Sequence, residues 1–220
     1  MRPKDTSNLL SDVAYKRILE ALMDRSVPLG AMMTQAELTK VTALPVGPVR
    51  DALKTLENDG IVVVHPRSGI EVVRRSTDLI RSTYQFRLLI EREATRAFAL
   101  QAPQAEVRRL IDLHRTTDAE YAAADPNTGV ADQMAVIEDA FHSVIVAGLG
   151  NQMIDLSYRR LSLLSRIIKL NDHVLPGVAR TSVAEHLAVL EAVLARQPDA
   201  AEAAMRDHLT RAMTRNLGLS

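Results

Sequence analysis

Apolar side chains recur at helical spacing near the start of the chain, at Leu9, Leu10, Val13, Ile18, Leu19 and Leu22, and the pattern stops at Pro28-Leu29-Gly30. A first helix is predicted there. Thr34-Gln35-Ala36-Glu37 has the spacing of a capping box, in which the Thr oxygen accepts from an early backbone N–H and the Glu reaches back to the cap, so a short second helix is predicted over about 34–42. A third helix is predicted from about Pro45 to Asn58, ending near Gly60. Pro48 is tolerated in its first turn, where N–H groups lack helical acceptors, and Val49, Leu53 and Leu56 share its inner face. Ile61-Val62-Val63-Val64 and Ile70-Glu71-Val72-Val73, separated by His65-Pro66-Arg67-Ser68-Gly69, read as a hairpin of β-branched strands.

After Thr77 the periodicity is helical throughout. Six amphipathic stretches are predicted, about 77–102, 104–124, 131–148, 151–171, 180–196 and 199–217, punctuated by Pro103, Pro126-Asn127-Thr128-Gly129, Gly148-Leu149-Gly150, Pro176-Gly177 and Pro198. The change of pattern at Ser76-Thr77 predicts two domains, 1–76 and 77–220. The fold class is mainly α. The N-terminal order of three helices and a hairpin is the plan of a winged helix-turn-helix, and the C-terminal half is an all-α antiparallel helical bundle.

Composition narrows the functional classes. Hydrophobic residues make up 47% and charged residues 25% of the 220, which fits a packed globular chain rather than a disordered one. No apolar run approaches the roughly 18 residues that span a bilayer, and the N-terminal segment lacks the apolar block of an export signal. Membrane insertion is therefore not expected, and the cytoplasm is the expected compartment. The absence of cysteine excludes thiolate zinc fingers, iron–sulfur clusters and cysteine nucleophiles. The formal net charge is zero, so any nucleic-acid surface must be local. Residues 1–76 hold 11 Lys and Arg against 9 Asp and Glu, and the remainder 16 against 18, a contrast of the useful sign. Six of the seven aromatics lie in the second half, as expected if it holds the larger core and any ligand cavity.

In a winged domain the third helix enters the major groove and the hairpin lies along the flanking DNA. Arg50 and Lys54 are four apart and face away from Val49, Leu53 and Leu56, so both are placed to reach phosphates or base edges; His65 and Arg67 stand at the wing tip. The alternative is that Arg50 and Lys54 are ordinary solvated charges. Three segments carry a resemblance: Leu44-Pro45-Val46-Gly47-Pro48-Val49-Arg50-Asp51-Ala52-Leu53, Leu56-Glu57-Asn58-Asp59-Gly60-Ile61, and Pro66-Arg67-Ser68-Gly69-Ile70-Glu71-Val72. Together they resemble the DNA-binding domain of the GntR family of bacterial transcription regulators. The resemblance implies a double-stranded operator as partner, with Thr34, Gln35, Val46, Gly47, Arg50, Lys54, His65, Arg67 and Gly69 against DNA. Where the family usually has Ser-Arg-Thr before Pro-Val-Arg, this chain has Pro45-Val46-Gly47, so a family arginine is replaced at Val46 and the usual Ser cap at Pro45.

Five of the six histidines lie in the second half. Glu138 and His142 are four apart on one predicted helix, hence on one face, one turn apart. His186 and His208 are equidistant from Gln197, in the turn between consecutive helices, so an antiparallel hairpin brings them level, each about 16 Å from the turn at roughly 1.5 Å per residue. Three imidazoles and a carboxylate suit zinc, nickel, iron or manganese, with positions open to water or a ligand oxygen. His114 and His173 fall out of this register and are expected to be locally hydrogen-bonded, without a metal role.

Arg87-Leu88-Leu89-Ile90-Glu91, Glu138-Asp139-Ala140-Phe141-His142, Gly150-Asn151, Glu185-His186 and Met205-Arg206-Asp207-His208-Leu209 resemble the FCD ligand-binding domain of the FadR-type branch of the same family, in a shorter six-helix variant. The resemblance implies a divalent metal, zinc foremost, on Glu138, His142, His186 and His208, and a small effector, of carboxylate type, bound at or near it. Glu138 stands where the family usually has aspartate, and Asp139 competes for the role. Arg87 is the candidate partner of an anionic effector, or else half of an Arg87–Glu91 helical ion pair; Asn151 binds effector or caps the next helix. The whole implies a homodimeric repressor on a pseudo-palindromic operator. Alternatives are a metal-dependent enzyme, for which no general base or nucleophile accompanies the cluster, and a regulator with a purely structural metal.

Overall fold

The computed structural model describes residues 4–170 and 174–219. Contacts divide the chain into two compact units, Met1–Ser76 and Thr77–Ser220. The first unit runs α1 (Lys4–Met23), β1 (Met32–Met33), α2 (Gln35–Thr42), α3 (Val46–Asn58), β2 (Val62–His65) and β3 (Gly69–Val72). Its helix α1 buries Ala14, Ile18, Ala21 and Leu22, while Leu9 lies exposed. Against that face pack Leu38 of α2 and Val49, Leu53 and Leu56 of α3, all buried.

Both reciprocal bonds of the capping box are present. Glu37 N–H donates to Thr34 Oγ1 at 3.2 Å, and Thr34 N–H donates to Glu37 Oε2 at 2.6 Å. Helix α2 ends in the left-handed conformation at Ala43, and Pro45 precedes α3 with no side-chain cap. The wing is tighter than its apolar run suggests. His65 pairs with Gly69, so only Pro66, Arg67 and Ser68 form the turn, and both strands shift toward it by one residue. Beyond the ladder, Val73 N–H still donates to the Ile61 carbonyl at 2.8 Å. The strand β1 is not predicted from sequence because two residues carry no periodicity. It pairs with β3 in a sheet ordered β1-β3-β2, with Met33 opposite Ile70. That pairing explains Gly69, whose φ of +120° and whose approach to the Met33 carbonyl, 2.9 Å from where a Cβ would stand, both exclude a side chain.

The second unit holds six helices among the described residues: α4 (Thr77–Gln101), α5 (Gln104–Ala123), α6 (Ala131–Ala147), α7 (Gln152–Lys169), α8 (Pro176–Leu194) and α9 (Pro198–Asn216). The start of α8 is four residues earlier than the pattern predicts. Pro176 occupies the first turn, where its missing N–H costs nothing and its fixed φ is already helical, so it opens the helix rather than marking a break. Pro198 opens α9 in the same way. Phe98, Leu110, Phe141, Ile145, Leu190, Met205 and Leu209 form the main core, with a smaller cluster around Tyr121, Met134, Ile137 and Val183. Arg196, at the α8–α9 turn, donates to the carbonyls of Ala99 and Ala102 at 2.9 and 2.7 Å, satisfying groups at the end of α4 that have no helical partner.

Gly148 ends α6 against Phe98. A Cβ there would stand 2.7 Å from the Phe98 ring and 3.1 Å from the Ile145 carbonyl. Gly148→Ala is therefore expected to destabilise the chain by about 1–3 kcal/mol through overpacking. Urea unfolding measures this, and an unchanged midpoint would contradict the packing described.

Candidate metal centre and nucleic-acid interface

The predicted ligands converge. Glu138 and His142 come from one face of α6, His186 from α8 and His208 from α9, and one ligand atom of each lies within 4.8 Å of the others. His186 Nε2 stands 3.7 Å from Glu138 Oε1, and His142 Nε2 stands 3.8 Å from Glu138 Oε2. The three histidines are buried, and Nε2 of His142 and of His186 has no hydrogen-bond partner. Two orphaned imidazole nitrogens beside a carboxylate, in a core, are a costly arrangement unless a cation completes them. The donor set, three imidazole nitrogens and a carboxylate oxygen, fits zinc, and also nickel, iron or manganese. Asp139 is exposed and accepts from Ser143 Oγ at 3.0 Å, so the carboxylate facing the histidines is Glu138.

Each imidazole is oriented from behind. His142 Nδ1 lies 2.6 Å from Glu91 Oε2, His208 Nδ1 2.8 Å from Glu185 Oε2, and His186 Nδ1 3.2 Å from His114 Nε2. Such partners fix the ring and the tautomer that a metal ligand needs. The expectation for His114 is thereby corrected: it is locally bonded, to the Leu110 carbonyl at 2.7 Å, but it also touches the cluster. Its sequence separation of 72 from His186 hides that contact from any register argument. His173 lies outside the described residues.

Burial and charge set the protonation states. Burial resists ionisation of Glu91, but the Arg87 guanidinium beside it, its Nε at 2.6 Å from Oε1, holds the carboxyl well below the usual range. Tyr158 OH also donates to Glu91 at 3.0 Å. Glu138 is likewise held well below, against burial, chiefly by Lys169, whose Nζ is 2.5 Å from Oε2. Burial opposes ionisation of Glu185 too, yet His208 and Arg215 bring it to about 2. Burial pushes His142 down to about 4 and His186 well below its ordinary value, so both are neutral imidazoles near pH 7.

Arg87 is thus an ion-pair partner of Glu91, both buried, with its guanidinium also over the Tyr84 ring. Asn151 is exposed and caps α7, its Oδ1 accepting from the N–H groups of Met153 and Ile154 at 3.0 and 3.3 Å. The capping role expected of Asn151 is thus present, its side-chain oxygen serving two orphan donors. From the sequence Glu185, Lys169 and Tyr158 have no assigned role, and Glu91 has only that of a helical ion-pair partner for Arg87. The signal for Glu91 is a charge within the buried α4 stripe of Tyr84, Arg87, Ala94 and Phe98.

In the first unit Val46, Gly47, Arg50 and Lys54 are exposed on α3, and Arg67 is exposed at the wing tip with a φ of 69°. Lys54 Nζ is 2.9 Å from Asp51 and His65 Nε2 is 2.9 Å from Glu71. Thr34 caps α2, Gln35 reaches the Val46 carbonyl at 3.4 Å, and Gly69 lies against β1.

Two outcomes follow from the second unit. Glu91→Gln leaves the Arg87 guanidinium buried without its counter-charge and is expected to destabilise by about 3–5 kcal/mol in urea unfolding, whereas a loss under about 1 kcal/mol would contradict this. For pH, His142 and His186 bind protons less readily folded than unfolded, and so do Glu91, Glu138 and Glu185. The unfolded chain therefore binds more protons on acidification, and stability falls with pH. In metal-free protein the loss begins near pH 6.5, where unfolded histidines titrate, and deepens below about pH 4.5 as unfolded carboxylates protonate. Denaturant midpoints at pH 7, 5.5 and 4 test the order; a flat response between pH 7 and 5.5 would contradict neutral buried imidazoles.

Residues 10–72 match the family described as bacterial regulatory proteins of the gntR family, and residues 82–211 match the FCD domain. The chain is 30% identical over 177 residues to the HTH-type transcriptional repressor GlaR of Escherichia coli (strain K12), covering 78% of this chain and 80% of that one. Its fold is similar to a GntR transcriptional regulator from Rhodococcus sp. RHA1, with a TM-score of 0.75 at 18% identity over 96% and 98% of the two chains. It is also similar to E. coli McbR/YncC, with a TM-score of 0.74 at 15% identity over 95% and 97%. With a winged helix-turn-helix and an FCD domain in order, this chain belongs to the GntR family of bacterial transcriptional regulators.

Proposed function

We propose that this DNA-binding regulator is a homodimeric repressor whose operator affinity is set by a small carboxylate effector bound beside a divalent metal, zinc foremost, in its helical domain. The observation that carries the reading is the convergence of Glu138, His142, His186 and His208, with unpartnered Nε2 atoms on His142 and His186. These four residues would hold the ion. When bound, it supplies a Lewis-acid anchor for anionic oxygens. Around the site Arg87 pairs with Glu91, Lys169 with Glu138, and Arg215 and Arg211 with Glu185, so each carboxylate is already matched by a cation. A divalent ion then leaves two uncompensated positive charges in a buried place, which an anionic effector neutralises. Arg87, with only its Nε spent on Glu91, is the side chain suited to a carboxylate.

A dimer is supported by exposed apolar residues on two helices of the second unit, Phe86, Leu89 and Leu100 on α4 and Met153 and Leu156 on α7. Two-fold symmetry in the protein calls for a pseudo-palindromic operator with half-sites one helical turn apart. On α3, Val46, Gly47, Arg50 and Lys54 meet the major groove, with Thr34 and Gln35 at the start of α2 beside them. His65, Arg67 and Gly69 present the wing. Effector binding shifts operator affinity only through unequal affinity for two arrangements of the helices. The enzyme reading is not favoured, because the family and the relatives are transcriptional regulators.

Elemental analysis of the purified protein and of His142→Ala, with both then titrated against DNA from around its own gene, tests the reading. The wild type is expected to hold about one metal per chain, as four converging ligands imply, and the variant to lose it while keeping specific DNA binding. Binding should weaken steeply with salt as counterions are released. A wild type without metal would overturn the metal reading, and specific binding insensitive to every small carboxylate would leave a structural metal as the better account.

A further inference from the structure

Two of the three histidines are oriented by carboxylates and the third is not. His186 instead presents Nδ1 to another imidazole, Nε2 of His114, at 3.2 Å. His114 in turn sets its Nδ1 2.7 Å from the main-chain carbonyl oxygen of Leu110, one turn earlier on α5. A carbonyl oxygen only accepts, so the proton of this contact sits on His114 Nδ1. The His114 ring is fully buried, edge-on to Phe141, and both its hydrogen-bond partners are uncharged groups. The ring is therefore neutral, its Nε2 carries a lone pair, and the donor in the imidazole pair is His186 Nδ1. A neutral His186 with its proton on Nδ1 has its lone pair on Nε2, the atom that faces Glu138 and lacks a hydrogen-bond partner.

We infer that His114 is a positioning residue for the metal centre: the chain from the Leu110 carbonyl through His114 locks His186 in the one tautomer that offers Nε2 to a cation. This rests on the metal reading above for its purpose, though not for its geometry. A neutral imidazole in this place orients the His186 ring without adding charge beside the Glu91–Arg87, Glu138–Lys169 and Glu185–Arg215 pairs. His186 is further held flat against Phe141, with ring centroids 4.0 Å apart and planes 11° apart, so rotation into another hydrogen bond is blocked by packing.

The test uses the full-length protein stripped of metal, with histidine nitrogens labelled for long-range proton–nitrogen NMR, followed by zinc titration against a chromophoric chelator. Wild-type His186 is expected to carry its proton on Nδ1. His114→Phe, which cannot accept, is expected to lose about 10–100-fold in zinc affinity, as is typical for loss of an outer-shell partner, and to lose the fixed tautomer. His114→Gln, whose amide oxygen can accept from His186 Nδ1, is expected to recover most of both. A purely structural role for His114 would not move the tautomer, and unfolding in chelator shows which variants are folded. His186 protonated on Nε2 in the wild type, or a folded His114→Phe with wild-type zinc affinity, would overturn the inference. It fails separately from the metal reading, which is overturned instead by a wild type that binds no zinc. If His114→Phe does not fold, the wild-type tautomer and the Gln variant still decide.

Discussion

Glu91 is a carboxylate with no exposure at all, and the rest of the helical unit is arranged around satisfying it. It accepts from Arg87 on its own helix, from His142 on α6 and from Tyr158 on α7, so one buried charge fixes three helices relative to one another. Glu185 repeats the device between α8 and α9, through His208 and Arg215, and Glu138 ties α6 to α7 through Lys169. With His114 on α5, every helix of the unit contributes at least one polar side chain to a single network. Such a network is worth having only when complete, because each unpaired member costs several kcal/mol in a low-dielectric interior. The apolar core around Phe141 and Leu190 supplies the bulk of the burial, but it would accept many helix arrangements. The network accepts few.

This division explains what the sequence revealed and what it withheld. Long helices announce themselves by period, so α4 to α9 are legible, and the symmetry of His186 and His208 about Gln197 follows from the hairpin alone. The acid one turn before His142 follows from helix geometry. The residues behind the imidazoles are another matter. Glu91 lies 51 residues from His142, and His114 lies 72 from His186. Their meeting depends on which helices pack together, which periodicity does not specify. The cue that was present, Arg87 and Glu91 in an otherwise apolar stripe, reads equally as an isolated ion pair, and the structure shows it is both a pair and the support for His142. The boundaries that shifted did so for local reasons, a proline that opens α8 and a glycine that lets β3 approach β1.

The two units deal with charge in opposite ways. In the winged unit the basic side chains stay at the surface, and their partners are near neighbours, Asp51 for Lys54 and Glu71 for His65, exchangeable for phosphate at little desolvation cost. The substitution of Pro45-Val46-Gly47 at the start of α3 leaves that helix without a side-chain cap and presents an apolar Val46, 47% exposed, at the position nearest the groove in the proposed docking. Sequence preference there would rest on an apolar contact of the kind that reads a thymine methyl rather than on a guanine-reading arginine.

At the histidine cluster of the helical unit the charged groups are largely buried and already paired, so the property that matters is what upsets that pairing. Around the candidate ligand atoms Glu91, Glu138 and Glu185 are each paired with at least one cation, and burial holds His142 and His186 neutral. A divalent cation placed among them adds charge that no side chain is free to cancel, since Glu91, Glu138 and Glu185 are each already committed to a cation. The compensating charge must come from outside the chain. On the proposed function, a metal and an anionic effector would be coupled by charge alone: an anion would gain most where the ion is present, and the ion would be better tolerated where an anion is. By linkage the same coupling runs in both directions, so whatever helix arrangement the pair prefers is preferred more strongly than either component alone would make it.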